Sequence, residues 1–239
     1  MKLYYDFHIH SCLSPCGDMD MTPNNIVNMS ILKGLDIIAV TDHNTCGNCR
    51  AIMEVGERNG LIVIPGMELN TREDVHVLCL FNDIEKAEEF SCYIYNNMQD
   101  IINKKEVFGE QIYMNSQDEA VGIEEKLLIT ASNIGIYETI SLCREYNGIV
   151  IPAHIDKSSY SILSVLGFIT EDMNFSVYEL SPRAVEDDIL RKQKLLKDKL
   201  IIRNSDAHYL WDIAEREHFI EVSSSSIKKV LEYISGIDD

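Results

Sequence analysis

Six of the seven histidines lie at or beside short apolar, β-rich runs, and they carry most of the chemistry this chain offers. His8 and His10 stand two apart at the end of the first run. A strand has period two, so both imidazoles face one side, and one strand can give two nitrogens to one metal. His43 follows Ala39-Val40-Thr41-Asp42, and Glu68 follows Ile62-Val63-Ile64-Pro65-Gly66-Met67. His76 opens a further run, and His154 closes Val150-Ile151-Pro152-Ala153. Asp206 and His208 repeat the spacing of two after Ile201-Ile202-Arg203-Asn204-Ser205. One strand-end histidine alone is ordinarily a hydrogen-bonded packing residue. So many imidazoles together with Glu68 and Asp206 are costly to bury unless a cation pairs them. Imidazole plus carboxylate suits borderline or hard divalent ions: zinc, manganese or iron. His218, the remaining histidine, reads as structural.

These residues need elements to hold them. The apolar pattern predicts strands over 3–9, 36–41, 62–68, 75–81, 149–155, 177–181, 200–205 and 219–222. It predicts helices over 24–33, 48–59, 85–104, 134–146, 159–166, 185–197 and 226–234. Thr22-Pro23 sets a capping hydroxyl before a first-turn proline, and Gly34 and Gly60 stand where helices end. Alternating strands and helices imply parallel βαβ units, whose C-terminal strand ends gather at one mouth. Residues 106–130 break this rhythm and read as an inserted hairpin. We expect it to cover the mouth, the alternative being a surface excursion with no role.

Five separated stretches also carry a resemblance. Asp6-Phe7-His8-Ile9-His10-Ser11, Thr41-Asp42-His43-Asn44, Pro65-Gly66-Met67-Glu68, Pro152-Ala153-His154 and Asn204-Ser205-Asp206-Ala207-His208 resemble, in order, the motifs of the PHP (polymerase and histidinol phosphatase) family. The resemblance runs from residue 3 to about 222. It implies one α/β domain over residues 1–239, a distorted (β/α)7 TIM-like barrel with a segment inserted around 106–130. It also implies two to three divalent ions at the mouth and hydrolysis of phosphoesters. By motif, His8, His10, Glu68 and Asp206 correspond to the ligands of one metal. Glu68 bridges to a second, held also by His76 and His154. His43 and His208 hold a third with an acid from the loop after the first strand. The family pattern puts that acid at Asp18, counted back from Pro23, although Met19 replaces the usual glycine and Asp20 competes.

Two close divalent ions lower the pKa of a water between them, so hydroxide is available near neutral pH. The leaving oxygen then needs a proton or a Lewis acid, from His208 or from the third metal. Glu68, Asp206 and His208 are therefore read as catalytic. Asp42 either orients a ligand histidine or caps a helix. Phosphate recognition asks for a cation, and Arg183, just past a strand at the same end, is the leading choice over Arg203 and Lys157.

Composition bounds the rest. Of 239 residues 46% are hydrophobic and 25% charged, enough for one sizeable core and unlike a disordered chain. Lys plus Arg number 21 against 39 Asp plus Glu, a formal charge of −18. That balance argues against long nucleic acid as partner and allows a small phosphorylated substrate or short nucleotide. Seven cysteines, no leader-like apolar segment in MKLYYDFHIH and no long apolar run lead us to expect a reduced, soluble, cytoplasmic protein without membrane contact. Oligomeric state is not legible. Cys12, Cys16, Cys46 and Cys49 fall in loops expected to be neighbours, where four thiolates would make a structural zinc site and packed thiols are the alternative. The leading function is a metal-dependent phosphoesterase acting through a metal-bound hydroxide. Its rivals are a 5′–3′ exonuclease on short oligonucleotides and a non-catalytic metal-binding module serving a partner protein.

Overall fold

Short β-branched runs form the strands, and the connections between them decide the topology. A computed structural model describes residues 1–236. β1 (Lys2–Ile9), β2 (Ile37–Val40) and β3 (Ile62–Asn70) pair in parallel, joined by α1 (Pro23–Leu32) and α2 (Cys49–Asn59). β4 (His76–Phe81) runs antiparallel to β3. The five residues between Asn70 and His76 cannot make the crossover of a dozen or more that a parallel neighbour needs. This reversal has a use: the beginning of β4, with His76, arrives at the mouth where the other strands end. After α3 (Ile84–Asn96), α4 (Lys105–Phe108), the hairpin β5 (Ile112–Met114) and β6 (Ala120–Ile123), and α5 (Ile136–Glu145), the chain returns as β7 (Gly148–Pro152). β7 is antiparallel to β4, and the six-stranded order is β10-β1-β2-β3-β4-β7. β8 (Val177–Leu180) and β9 (Leu200–Arg203) form a separate parallel pair, and β10 (Phe219–Glu221) runs antiparallel to β1. α6 (Ile162–Val165) and α7 (Glu186–Lys192) flank β8, and α8 (Ile227–Ile234) follows β10.

Side chains alternate across the sheet as its period of two requires. Phe7, Ile37, Ala39, Ile64, Leu78, Leu80 and Ile151 share one buried cluster with Val177 of β8, Ile202 of β9 and Ile220 of β10. Ile38, Val40, Val63, Val77, Cys79 and Phe81 face the other way and pack with the helices. Residues from both sheet edges meet in the first cluster, so the sheet curls. Short bridges tie the β8–β9 pair to β1 and to the segment after β7: Ile9 opposite Ala207, and the Ile155 N–H donating to the Glu179 carbonyl at 3.0 Å. The result is a mixed α/β fold with a curled half-barrel sheet. Of the expected distorted (β/α)7 TIM-like barrel it has the α/β class and the curl; a closed ring of seven is not formed, since β4 and β10 are antiparallel and β8–β9 pair apart.

The insertion is a hairpin, expected over the mouth, and none of residues 106–130 lines the cavity above the histidines. Its Ile112 N–H donates to the Cys12 carbonyl at 3.0 Å, and Asn48 bonds Ile112 and Met114, so it braces the loops after β1 and β2. The outer wall of the cavity above the histidines is Lys157, Ser159 and Tyr160 instead. The hairpin also takes over a role expected of Thr22. That hydroxyl makes no cap bond; it donates to Asp118 at 2.8 Å, and the Asp118 carboxylate accepts from the Asn24 N–H at 3.0 Å. An acid from the insertion therefore caps α1. Gly34 and Gly60 take φ of +77° after α1 and α2, as a helix end with glycine does. Among the described residues, no helix is long and apolar enough to cross a membrane.

Candidate metal centre

Glu68 stands near the end of β3 and is buried among five histidines. Its Oε1 lies 3.4 Å from His8 Nε2, 2.8 Å from His76 Nδ1 and 3.0 Å from His154 Nε2. Its Oε2 lies 3.3 Å from His10 Nε2 and 3.1 Å from His43 Nδ1. Asp206 Oδ1 sits 3.3 Å from both His8 Nε2 and His10 Nε2. β1 delivers its two imidazoles together, Nε2 to Nε2 at 3.2 Å, through a register shift between Asp6 and Ile9. Bulges of this sort re-aim side chains next to sites. Two contributors have left-handed backbones: His154 at φ +28° and Asp206 at φ +55°. Such conformations cost about 1–3 kcal/mol each and persist where the surroundings impose them.

Three groups of side chains have ligand atoms close enough to share an ion: His8, His10, Glu68 and Asp206; His43, Glu68 and His76; His10, His43 and His208. Buried polar atoms without a hydrogen-bond partner point the same way. Glu68 Oε2, His43 Nδ1 and His154 Nδ1 are buried and unsatisfied. Glu68 Oε2 and His43 Nδ1 are close, yet they are not aligned as donor and acceptor. Leaving such atoms unpaired costs about 1–3 kcal/mol each. A cation between Glu68 Oε2 and His43 Nδ1 would satisfy both, whereas His154 meets Glu68 through Nε2 and joins none of the three groups. The residues present therefore fit divalent ions.

Protons take the place of cations in the charge balance. Burial alone pushes His10 down, but its hydrogen bonds to Asp206 and Glu68 outweigh this and carry it up to about 9. His43 reaches about 9 against the same burial, chiefly through the Glu68 charge. His8 is raised well above its ordinary value despite burial, by Glu179, Asp206 and Glu68. Burial would raise Glu68; the charges on His76, His8 and His43 instead hold it well below the carboxylate range. His208 goes to about 3, through burial and then the charge on His10.

A further carboxylate orients the cluster and escaped the reading of the sequence. Glu179, buried in β8, sits 3.0 Å and 3.1 Å from His8 Nδ1 through its two oxygens. It also accepts from Asn204 Nδ2 and from the His154 N–H, each at 2.7 Å. Its one sequence signal is an acid inside the apolar run Val177-Tyr178-Glu179-Leu180. Asp42 reaches His10 through a relay: it accepts from Ser14 Oγ at 2.7 Å, and Ser14 Oγ lies 2.9 Å from His10 Nδ1. It caps no helix, since the N-cap of α2 is Asn48.

The other candidates fall at varying distances from the cluster. The Asp18 N–H donates to the His208 carbonyl at 2.9 Å, while its carboxylate accepts from the Asp20 N–H at 2.9 Å and joins none of the three groups. Asp20 is exposed. Lys157 Nζ is ion-paired with Asp206 Oδ2. Arg203 is tied to the carbonyls of Ser181 and Ala184 and to Glu186. Arg183 lines a separate cavity that shares Asp206 with the histidine cavity. The four loop cysteines do not converge. Cys12 faces the Ile112 carbonyl, Cys49 faces those of Val40 and Gly66, and Cys16 is exposed. Helix α2 starts at Cys49 and turns its thiol into the core. All seven cysteines are unpaired, and among the described residues none belongs to a group placed to hold a metal.

The chain is similar to several known proteins. The phosphoribosyl 1,2-cyclic phosphate 1,2-diphosphodiesterase of Eggerthella lenta is 31% identical over 80 residues, 31% of this chain and 29% of that protein. The 5'-3' exoribonuclease Rnm of Salmonella typhimurium is 33% identical over 85 residues, 34% of this chain and 28% of that protein. The match thus spans less than a third of either relative, and both are by name hydrolases of phosphoester bonds. Among solved structures, the lesion-specific endonuclease PfuEndoQ from Pyrococcus furiosus superposes with a TM-score of 0.72 at 19% identity, over 100% of this chain and 57% of that one. A protein from Bifidobacterium adolescentis described as a metal-dependent phosphoesterase superposes with a TM-score of 0.61 at 17% identity, over 97% and 96% of the two chains. These two share the fold. The PHP domain profile matches residues 6–196, a span that holds five of the six clustered histidines and Glu68, and the chain therefore belongs to the PHP domain family.

Proposed function

We propose that this chain is a metal-dependent phosphoesterase that hydrolyses a phosphate ester of a small metabolite or nucleotide. The observation that supports this best is Glu68, with both oxygens set among histidines and one of them unsatisfied. In this reading His8, His10, Glu68 and Asp206 hold one divalent ion. Glu68 reaches a second with His76 and His154, and with His43 in range. His43 and His208 hold a third, with Asp18 or His10 beside them. Zinc, manganese and iron all suit such donors. When bound, ions of this kind supply a Lewis acid for phosphate and an activated water.

The chain's own residues complete the chemistry. Lys157 neutralises Asp206 from the cavity wall; once Asp206 serves an ion, that ammonium is free to meet a substrate oxygen. His208, held neutral, acts as a nitrogen ligand and gives no proton. Glu179 and the Asp42–Ser14 pair fix the rings of His8 and His10. The net charge is a property of the whole surface and says little about the field beside Lys157 and Arg183, so the exclusion of long nucleic acid is not retained. Seven unpaired thiols support a reducing, cytoplasmic setting.

Hydrolysis of p-nitrophenyl phosphate and of its bis ester, with manganese, tests the reading. Monoester turnover supports a phosphatase and diester turnover the nuclease branch; inactivity on both leaves the metal-binding module. Glu68→Gln keeps the shape and loses one bridging oxygen. It should lower activity at least about 10²-fold with the fold retained. Full activity with full metal content would sink the bridging role.

A further inference from the structure

Asp206 lines two cavities. One lies above the histidines. The other, of about 440 Å³, is lined by Lys33, Arg183, Arg203 and Trp211 among others. Two of these cations are already engaged. Lys33 donates to the carbonyls of Trp211 at 2.8 Å and Ile213 at 2.5 Å and pairs with Glu215 at 3.0 Å. Arg203 donates to the carbonyls of Ser181 and Ala184 at 3.1 Å and 3.0 Å. Arg183, by contrast, is exposed and has no ion pair or hydrogen bond among the described residues.

Trp211 is the only tryptophan in the chain and is 78% exposed. Among the described residues its indole stacks on no other ring. Its backbone, however, is held firmly. Lys33 binds its carbonyl, the Asp212 N–H donates to the Tyr209 carbonyl at 3.0 Å, and the Ala214 N–H donates to Asp6 Oδ2 at 2.9 Å. A rigid turn that presents a bare indole, beside an unpaired guanidinium and next to a metal-site carboxylate, is poorly explained by packing. An indole offers a flat face to a nucleobase. A guanidinium offers a planar fork to phosphate. Asp212 and Glu217 also line the cavity. They repel a run of phosphates but accept from exocyclic base amines.

We propose that this cavity is a nucleotide subsite, in which Trp211 stacks on the base and Arg183 pairs with a phosphate. The inference rests on the phosphoesterase reading and narrows its substrate to nucleotides or short oligonucleotides, in preference to sugar phosphates.

Because Trp211 is the only tryptophan, its fluorescence reads binding without turnover. The chelator-treated full chain is titrated with AMP and, in parallel, with ribose 5-phosphate. AMP should quench saturably and ribose 5-phosphate should not, and Arg183→Ala should weaken the AMP titration about tenfold. With manganese, Trp211→Ala should raise KM for thymidine 5′-(p-nitrophenyl phosphate) about tenfold relative to KM for p-nitrophenyl phosphate. Equal quenching by AMP and ribose 5-phosphate would overturn the subsite, and so would equal changes in both KM values. If no ester is hydrolysed under any condition, the phosphoesterase reading falls, and the fluorescence titration still decides the subsite by itself.

Discussion

Glu179 shows how one residue can govern the centre from outside it. It grips His8 Nδ1 with both oxygens and so leaves His8 Nε2 to face Glu68 and Asp206. Removing such a partner ordinarily costs about 10–100-fold in metal affinity or activity. Glu179→Gln should therefore weaken metal binding by that order, read by equilibrium dialysis. A variant that binds metal as tightly as the parent would remove Glu179 from the positioning role. The raised histidines make a second prediction at this scale. His10 and His43 rise from 6.5 to about 9 in the metal-free chain, so they are largely protonated at pH 8 and must lose those protons to bind an ion. Metal uptake at that pH should release at least two protons, with His8 able to add a third, counted in weak buffer. The stabilisation these two protons give the metal-free fold is complete below about 6.5 and lost as pH rises through about 9. The thermal midpoint of chelated protein should fall across that window, and that of loaded protein should not. Parallel curves would refute the assignment.

At the scale of elements, the inserted hairpin acts as a brace. Asp118 satisfies the Asn24 N–H and the Thr22 hydroxyl at the start of α1, and Gly109 lets the insertion approach the loop after β1. Gly109 has φ +99°, and a β-carbon there would stand 2.0 Å from the Pro15 carbonyl. Asp118→Ala removes a cap carboxylate from the positive end of a helix and should cost about 1 kcal/mol in urea unfolding. Metal content should be unchanged, because no residue of β5 or β6 belongs to the metal-holding groups. An unaltered urea midpoint would mean that solvent replaces the cap without loss.

For the whole molecule, a filled metal centre should also contribute to stability. A chain of formal charge −18 gathers Glu68, Glu179 and Asp206 close to one mouth, and cations there relieve repulsion as well as unsatisfied atoms. An ion present at a hundredfold excess over its Kd stabilises the folded state by about 2.7 kcal/mol. For a chain of this length that is about 5–10 °C in Tm. Chelation should lower Tm by that amount, and manganese should restore it. A Tm indifferent to both would argue against a built metal site.

The ligand types and the strands that carry them were legible because both signals are local. A period of two puts His8 with His10, and an apolar run ending in Glu68 or leading to His154 marks its own end. Contacts between residues far apart were not legible. Glu179 lies 171 residues from His8, and Asp118 lies 94 from Asn24. Spacing along the chain cannot pair them, since only the curl of the sheet and the docking of the hairpin bring them together. The direction of β4 is intermediate. The short link after Asn70 already forbids a crossover, and the tertiary fold decides that the reversal brings His76 to Glu68. The four-cysteine zinc site was one of two readings, and the packed-thiol alternative is the one found, because proximity of loops does not set the direction of their side chains. By itself the sequence determined the mixed α/β class and the family, and it named the candidate donors. The tertiary structure decided which candidate donors come close enough to share an ion, which acid holds His8, and that Arg183, unpaired among the described residues, and an exposed indole line one cavity. Those choices depend on packing between distant segments, which local periodicity does not encode.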